Sequence, residues 1–165
     1  MANPDPISIV GKVGCKTVTV TANPLVTTAN AYGTNFVVGG LLTFPNAFTP
    51  TGSGIIESIS VNCLRVETSG FTLAIFGSYP NASSWTDASV AAINARDVPL
   101  ILATIPLGAS SVLGTHTNLD AYGINLAVVS KSTSLYAILT ANAALTNNFT
   151  TINDISVSIT ILQDP

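Results

Sequence analysis

Apolar and polar residues alternate along much of this chain in short runs, with Gly, Pro and Asn between them. Thr17-Val18-Thr19-Val20-Thr21 alternates at period two and stops at Asn23-Pro24, which predicts a half-buried strand and its turn. Ile155-Ser156-Val157-Ser158-Ile159-Thr160-Ile161 is cleaner still. Its odd positions are apolar and β-branched and its even positions carry hydroxyls, so one face is predicted to enter a core.

The segments between read the same way. Phe36 to Phe44 predicts a strand broken by Gly39-Gly40, the mark of a bulge or a close backbone approach, and ended by Pro45. Ile55 to Leu64 predicts a long strand with Ile55, Ile59, Val61 and Cys63 on one face and Ile56, Ser58, Ser60 and Asn62 on the other. Glu57 falls on the apolar face, either at a solvated strand entry or paired. Ser69-Gly70 predicts a hairpin turn into Phe71 to Phe76. Thr86 to Asn94 predicts a helix of about two turns with Thr86 or Asp87 as its N-cap, docked on a sheet because it is too short to stand alone. Leu100 to Ile105, stopped by Pro106, then Ile124 to Val129 and Leu135 to Leu139 supply further strands, with a Gly/Ser-rich loop over 108–114. The pattern predicts an all-β antiparallel sandwich or jelly roll of about eight strands with one short helix, over 17–165, preceded by an extended N-terminal arm over 1–16.

Composition sharpens the functional expectation. Only thirteen of 165 residues are charged, whereas fifty-one are Ser, Thr or Asn. A typical soluble domain carries about a quarter of its residues as Asp, Glu, Lys or Arg. With little like charge to hold copies apart, the protein is expected to self-associate, as a trimer in preference to a dimer. A net charge of −3 offers no basic stripe for nucleic acid. No apolar run approaches the roughly 20 residues that span a bilayer, and the first residues lack the order of a signal peptide, so a cytoplasmic origin and no membrane partner are expected. An outer-membrane barrel is disfavoured by the sparse aromatics. Cys15 and Cys63 are expected to be free, buried thiols.

Candidate chemistry is thin. His116 is the single histidine and stands in a polar turn, Gly114-Thr115-His116-Thr117-Asn118, with no nucleophile elbow around it, so a solvated role is expected over a catalytic one. Two Cys and one His do not make a zinc site. Glu57, Glu67, Asp87, Asp97 and Asp120 show no spacing that selects a glycosidase pair or a calcium loop. Gly52-Ser53-Gly54 lacks the lysine of a phosphate loop. No enzyme activity, cofactor or metal is therefore expected. Trp85 has two readings, a staple packing the helix onto the sheet or a platform for a sugar.

Asn35 to Phe44 with its Gly39-Gly40-Leu41-Leu42-Thr43-Phe44, then Ser53-Gly54-Ile55-Ile56-Glu57-Ser58-Ile59, then Thr72-Leu73-Ala74-Ile75-Phe76 with Tyr79-Pro80-Asn81 and Thr86-Asp87, resemble in their order the jelly-roll capsid decoration, or cement, proteins of tailed bacteriophages. The resemblance covers roughly 32–105. Gly77-Ser78 departs from it, standing where the family's pattern has an acidic residue. It implies a virion protein that sits on the capsid surface, binds the major capsid protein and strengthens the head. The arm lies outside the resemblance, and its Asn3, Pro4, Pro6, Ile7, Ile9 and Val10 are the residues expected to contact the capsid or a neighbouring subunit. The alternative is a receptor- or glycan-binding tail or fibre module on the same sandwich, with Trp85 and loop carboxylates as its platform.

Overall fold

The computed structural model describes residues 15–50, 52–108, 111–145 and 148–164. They form nine strands: β1 Lys16–Ala22, β2 Val37–Phe44, β3 Ser53–Cys63, β4 Phe71–Phe76, β5 Ile101–Leu107, β6 Ser111–Leu113, β7 His116–Val129, β8 Leu135–Ala141 and β9 Ile155–Gln163. Two antiparallel sheets result, ordered β1-β9-β3-β7-β6 and β2-β8-β4-β5. The chain is an all-β sandwich. Its strands alternate as the sequence does: in β9, Ile155, Val157, Ile159 and Ile161 are buried while Ser156, Ser158 and Thr160 are partly exposed. Phe44, Phe71, Phe149 and Leu119 fill the space between the sheets with them.

The pairing has a simple logic. β4 pairs with β5, β3 with β7, β2 with β8 and β1 with β9. That is one long hairpin of strand pairs, closed at β4–β5 and rolled up so that alternate pairs fall in opposite sheets, the jelly-roll arrangement. β6 adds a short hairpin to the start of β7, turning at Gly114.

Several sequence expectations are corrected by this arrangement. The helix over Thr86 to Asn94 does not form. That stretch is irregular, with an isolated bridge from Val90 to Phe36, and the one helical turn among the described residues is a 3-10 turn at Val98–Leu100. Asp87 does not cap a helix; it accepts hydrogen bonds from distant backbone. Ser69-Gly70 does not close a hairpin, because β3 and β4 lie in different sheets and the link crosses the sandwich. Pro106 sits inside β5 instead of stopping it, which an edge strand tolerates. His116, Thr117 and Asn118, read as part of a polar turn, begin β7, which starts eight residues before the strand expected from Ile124.

The strand registers shift at three places, one of them between β4 and β5 at Ile75–Phe76, and the other two bear on the sequence reading. At Gly39-Gly40 the register of β2 against β8 shifts between Val37 and Leu41, and both glycines have positive φ. A Cβ on Gly39 would stand 2.2 Å from the Pro24 Cβ, so this is a close backbone approach that only glycine permits. At Glu57 the register of β3 slips against both neighbours. Since side chains alternate faces, one extra residue reverses the parity. Ile56 is consequently fully buried and Ile55 is 37% exposed, the opposite of the predicted assignment, whereas Ile59, Val61 and Cys63 face the core as expected.

The long β4–β5 connection folds back over the outer face of the four-stranded sheet. Phe76, Ala74 and Ile138 on that face make a second small core with Trp85, Leu100 and Tyr136. Trp85 meets Phe76 with ring centroids 5.7 Å apart, and Tyr79 meets Tyr136 edge-on at 5.3 Å.

Candidate interaction surfaces

The acidic groups that a catalytic reading would recruit are turned to structural use. Asp87 accepts from the Gly39 N–H at 2.6 Å, the Thr27 N–H at 2.7 Å and the Tyr32 hydroxyl at 2.7 Å, tying three segments together. Burial, and secondarily the Asp87 bond, raise the Tyr32 phenol above its ordinary value. Asp97 is buried and accepts from the Ala82 N–H and the Ser83 hydroxyl. Glu67, also buried, accepts from the Thr68 and Ser69 N–H groups. Asp154 accepts from the backbone and hydroxyls of Thr150 and Thr151 and pairs with Arg65 at 2.6 Å. Burial alone pushes the Asp154 carboxyl up, but the Thr151 and Thr150 donors outweigh it and hold the group well below the usual carboxylate range. Each carboxylate replaces secondary structure as the acceptor for loop N–H groups.

His116 is exposed at the β6–β7 turn, with Nδ1 3.1 Å from the Thr115 hydroxyl. It borders a shallow cavity of about 180 Å³ with Asn62, Cys63 and Thr117. Cys63 pairs in register with Thr117, both buried, so its thiol enters the core rather than meeting the imidazole. Burial pushes that thiol up to about 11, the opposite of what a nucleophile needs. Both cysteines are free, but only Cys63 is buried; Cys15, expected to be buried, is exposed just before edge strand β1. Among the described residues no group of three or more His, Cys, Asp or Glu is placed to hold a metal ion.

Two surfaces stand out instead. The first is the outer face of the five-stranded sheet. Register places Thr19, Thr160, Ser58 and Tyr122 in one row across four strands, and Thr21, Ser158, Ser60 and Asp120 in the next. Hydroxyls bond along these rows, Thr19 to Thr160 at 3.1 Å and Thr21 to Ser158 at 2.9 Å. The Ser60 hydroxyl donates to Asn118, whose amide donates to Asp120 at 2.7 Å. Asp120 Oδ2 is thus engaged while Oδ1, shielded from solvent, has no hydrogen-bond partner. Tyr122 is 77% exposed, and hydrogen bonding to the Asp120 side chain, then that carboxylate's charge, raises its phenol pKa. β1, β3 and β9 were legible in sequence but the first half of β7 was not, and the rows follow from register, which joins positions up to 141 residues apart.

The second surface lies at the opposite edge. β6 covers only the first residues of β7, so from Leu119 onward β7 is the sheet edge, and it runs beside β5, the edge of the other sheet. Near their ends a groove of about 260 Å³ is lined by Pro99, Leu100, Leu102, Val129 and Lys131. Leu102 is 38% exposed and Val129 78%. No sequence motif announces this groove, which exists only because the rolled hairpin brings the ends of β5 and β7 together.

Trp85 is largely turned inward onto Phe76, in keeping with the staple reading, although what it staples is an irregular loop and not a helix. Asn3, Pro4, Pro6, Ile7, Ile9 and Val10 lie outside the described residues. No protein-family model matches the chain, and no curated protein matches it.

Proposed function

We propose that this chain is a non-enzymatic structural protein of a bacteriophage virion, which decorates the capsid, binds the major capsid protein and self-associates as a trimer. The observation that carries the reading is the outer face of the five-stranded sheet. A charge-poor array of mutually bonded Ser and Thr hydroxyls suits a broad, multiply hydrogen-bonded contact. The rolled-hairpin sandwich agrees with the resemblance to cement proteins, and the carboxylates at the loops are spent on holding backbone. Purified heads are the test. The protein is expected in stoichiometric amounts on heads and absent from detached tails, and heads stripped of it should rupture at lower temperature. Recovery with tails alone overturns the proposal.

A second reading, a glycan-binding tail or fibre module, is favoured by one observation, and it moves the site from Trp85 to Tyr122. The Tyr122 phenol ring, 77% exposed, offers a platform on which a sugar could stack. Tyr122→Ala separates the readings: loss of host-polysaccharide binding with unchanged melting supports the glycan module, and head binding without polysaccharide binding supports decoration.

A further inference from the structure

We infer that the outer face of β7, with the end of β3 beside it, binds a neutral oligosaccharide, one sugar ring seated in the shallow cavity beside His116 and another stacked on Tyr122. The inference rests on the second of the two readings above, and adds to it a second contact, a minimum ligand length and a class of sugar.

Alternate residues of β7 build the site. His116, Asn118, Asp120 and Tyr122 project from one side of the strand, because Thr117 and Leu119 between them point into the core. On β1 and β9 the same face carries the short hydroxyls of Thr19, Thr21, Ser158 and Thr160, so the long planar groups gather at β7. Asn62 of β3 stands opposite Asn118 in register, and the last pair of that ladder, Cys63 with Thr117, is flanked by Leu64 and His116. Asn62, Asn118, Leu64 and His116 ring the cavity of about 180 Å³. It is smaller than the ~300 Å³ at which drug-sized sites begin, which suits a single sugar ring. Tyr122 lies four residues from Asn118, roughly 14 Å along the strand. Just past it the pairing with β3 slips and Gly123 and Asn125 take positive φ, a bulge of the kind that bends a strand and re-aims the side chain beside it. The groups are also held in place in advance. The Ser60 hydroxyl donates to Asn118, Asn118 donates to Asp120, and hydrogen bonding to Asp120 ties back the Tyr122 hydroxyl, which lowers the cost of ordering them around a ligand.

The chemistry selects the ligand. Each Asn amide offers donors and an acceptor, which matches hydroxyls that both donate and accept. Leu64, 54% exposed, and the Tyr122 ring offer apolar surface to the C–H face of a pyranose. No Lys or Arg rings the cavity, Arg65 beside Leu64 is already paired with Asp154, and the Asp120 carboxylate lies between the two contacts. A sugar bearing uronate, sulfate or phosphate would meet that carboxylate with no cation to offset it. A single sugar cannot span the two contacts, so affinity should rise with chain length.

An array of neutral hexasaccharides and their uronic acid counterparts, followed by calorimetric titration of the best neutral binder and of its monosaccharide, tests this on the full chain. The hexasaccharide is expected to bind roughly tenfold or more tightly than the monosaccharide. Tyr122→Ala and the double variant Asn62→Ala/His116→Ala, all at exposed positions, should melt with the parent and should each weaken the hexasaccharide roughly fivefold or more. Weakening confined to one of the two variants overturns the two-contact site; if Tyr122→Ala is the one that weakens, the platform of the second reading still stands. Equal affinity for monosaccharide and hexasaccharide overturns the two-contact site as well, and an array on which acidic sugars bind best overturns the neutral class. Binding untouched by either variant puts the sugar elsewhere and overturns the inference alone. No binding to any sugar on the array overturns both the inference and the glycan reading on which it rests.

Discussion

Trp85 gives the sharpest test of how the long β4–β5 connection is held. Its ring packs on Phe76 over the outer face of the sheet, yet its Nε1 is buried with no hydrogen-bond partner. Two opposed effects follow. Burying roughly 100–150 Å² of ring stabilises by about 2.5–4 kcal/mol at ~25 cal/mol per Å². Leaving the N–H unsatisfied costs about 1–2 kcal/mol. Trp85→Ala removes both, so the net loss is about 1–3 kcal/mol, and Tm should fall by roughly 4–8 °C for a loss near 2 kcal/mol. Trp85→Phe keeps most of the ring contact and discards the unpaired N–H. It is expected to melt within about 2 °C of the parent, far above Trp85→Ala. Thermal unfolding followed by circular dichroism on the three proteins at one concentration decides the matter. If Trp85→Phe falls as far as Trp85→Ala, the indole N–H is making an essential bond and the argument from packing is wrong.

Three further outcomes are expected. Asp154→Asn should cost about 3 kcal/mol at pH 7 by leaving Arg65 unpaired in a largely buried site; because the folded carboxyl lies below its ordinary value, its contribution is fully present above about pH 4 and fades as pH falls from there toward the folded value, so urea midpoints of parent and variant should converge on acidification. Gly39→Ala should destabilise by several kcal/mol, since its Cβ would meet Pro24 at 2.2 Å, whereas Gly114→Ala, with positive φ but nothing within 4 Å, should cost only about 1 kcal/mol; chemical denaturation of both separates steric clash from backbone strain. Thiol titration at pH 8 should show Cys15 reacting at once and Cys63 only after denaturant is added, and two fast thiols would mean that β3 opens in the native state.

Period-two alternation made β1 and β9 readable from sequence, because β9 buries one face, β1 half-buries one, and both leave hydroxyls on the other. Gly39-Gly40 was readable as a bulge for the same local reason. Ile55 and Ile56 were misassigned because a bulge at Glu57 reverses parity, and nothing in the run of residues fixes where the extra one sits. The helix over Thr86 to Asn94 failed because its capping residue was taken by longer-range geometry: Asp87 gains three donors from Thr27, Tyr32 and Gly39, and the loop follows the carboxylate. The outer rows of the five-stranded sheet and the groove beside Val129 depend on which strands become neighbours. That information lies between segments and not within them.

The position of β9 between β1 and β3 has a kinetic consequence. Until this last strand arrives, the first and third have no partner in common, and closing Thr19 onto Thr160 spans 141 residues. Such distant closure makes formation slow, and it postpones the hiding of Thr- and Val-rich edges until late in folding. The same placement works in reverse once the sheet exists. Opening it from the end requires stripping β9 from both neighbours at once, along the buried Val157, Ile159 and Ile161, so a formed subunit should persist far longer than its equilibrium stability alone implies.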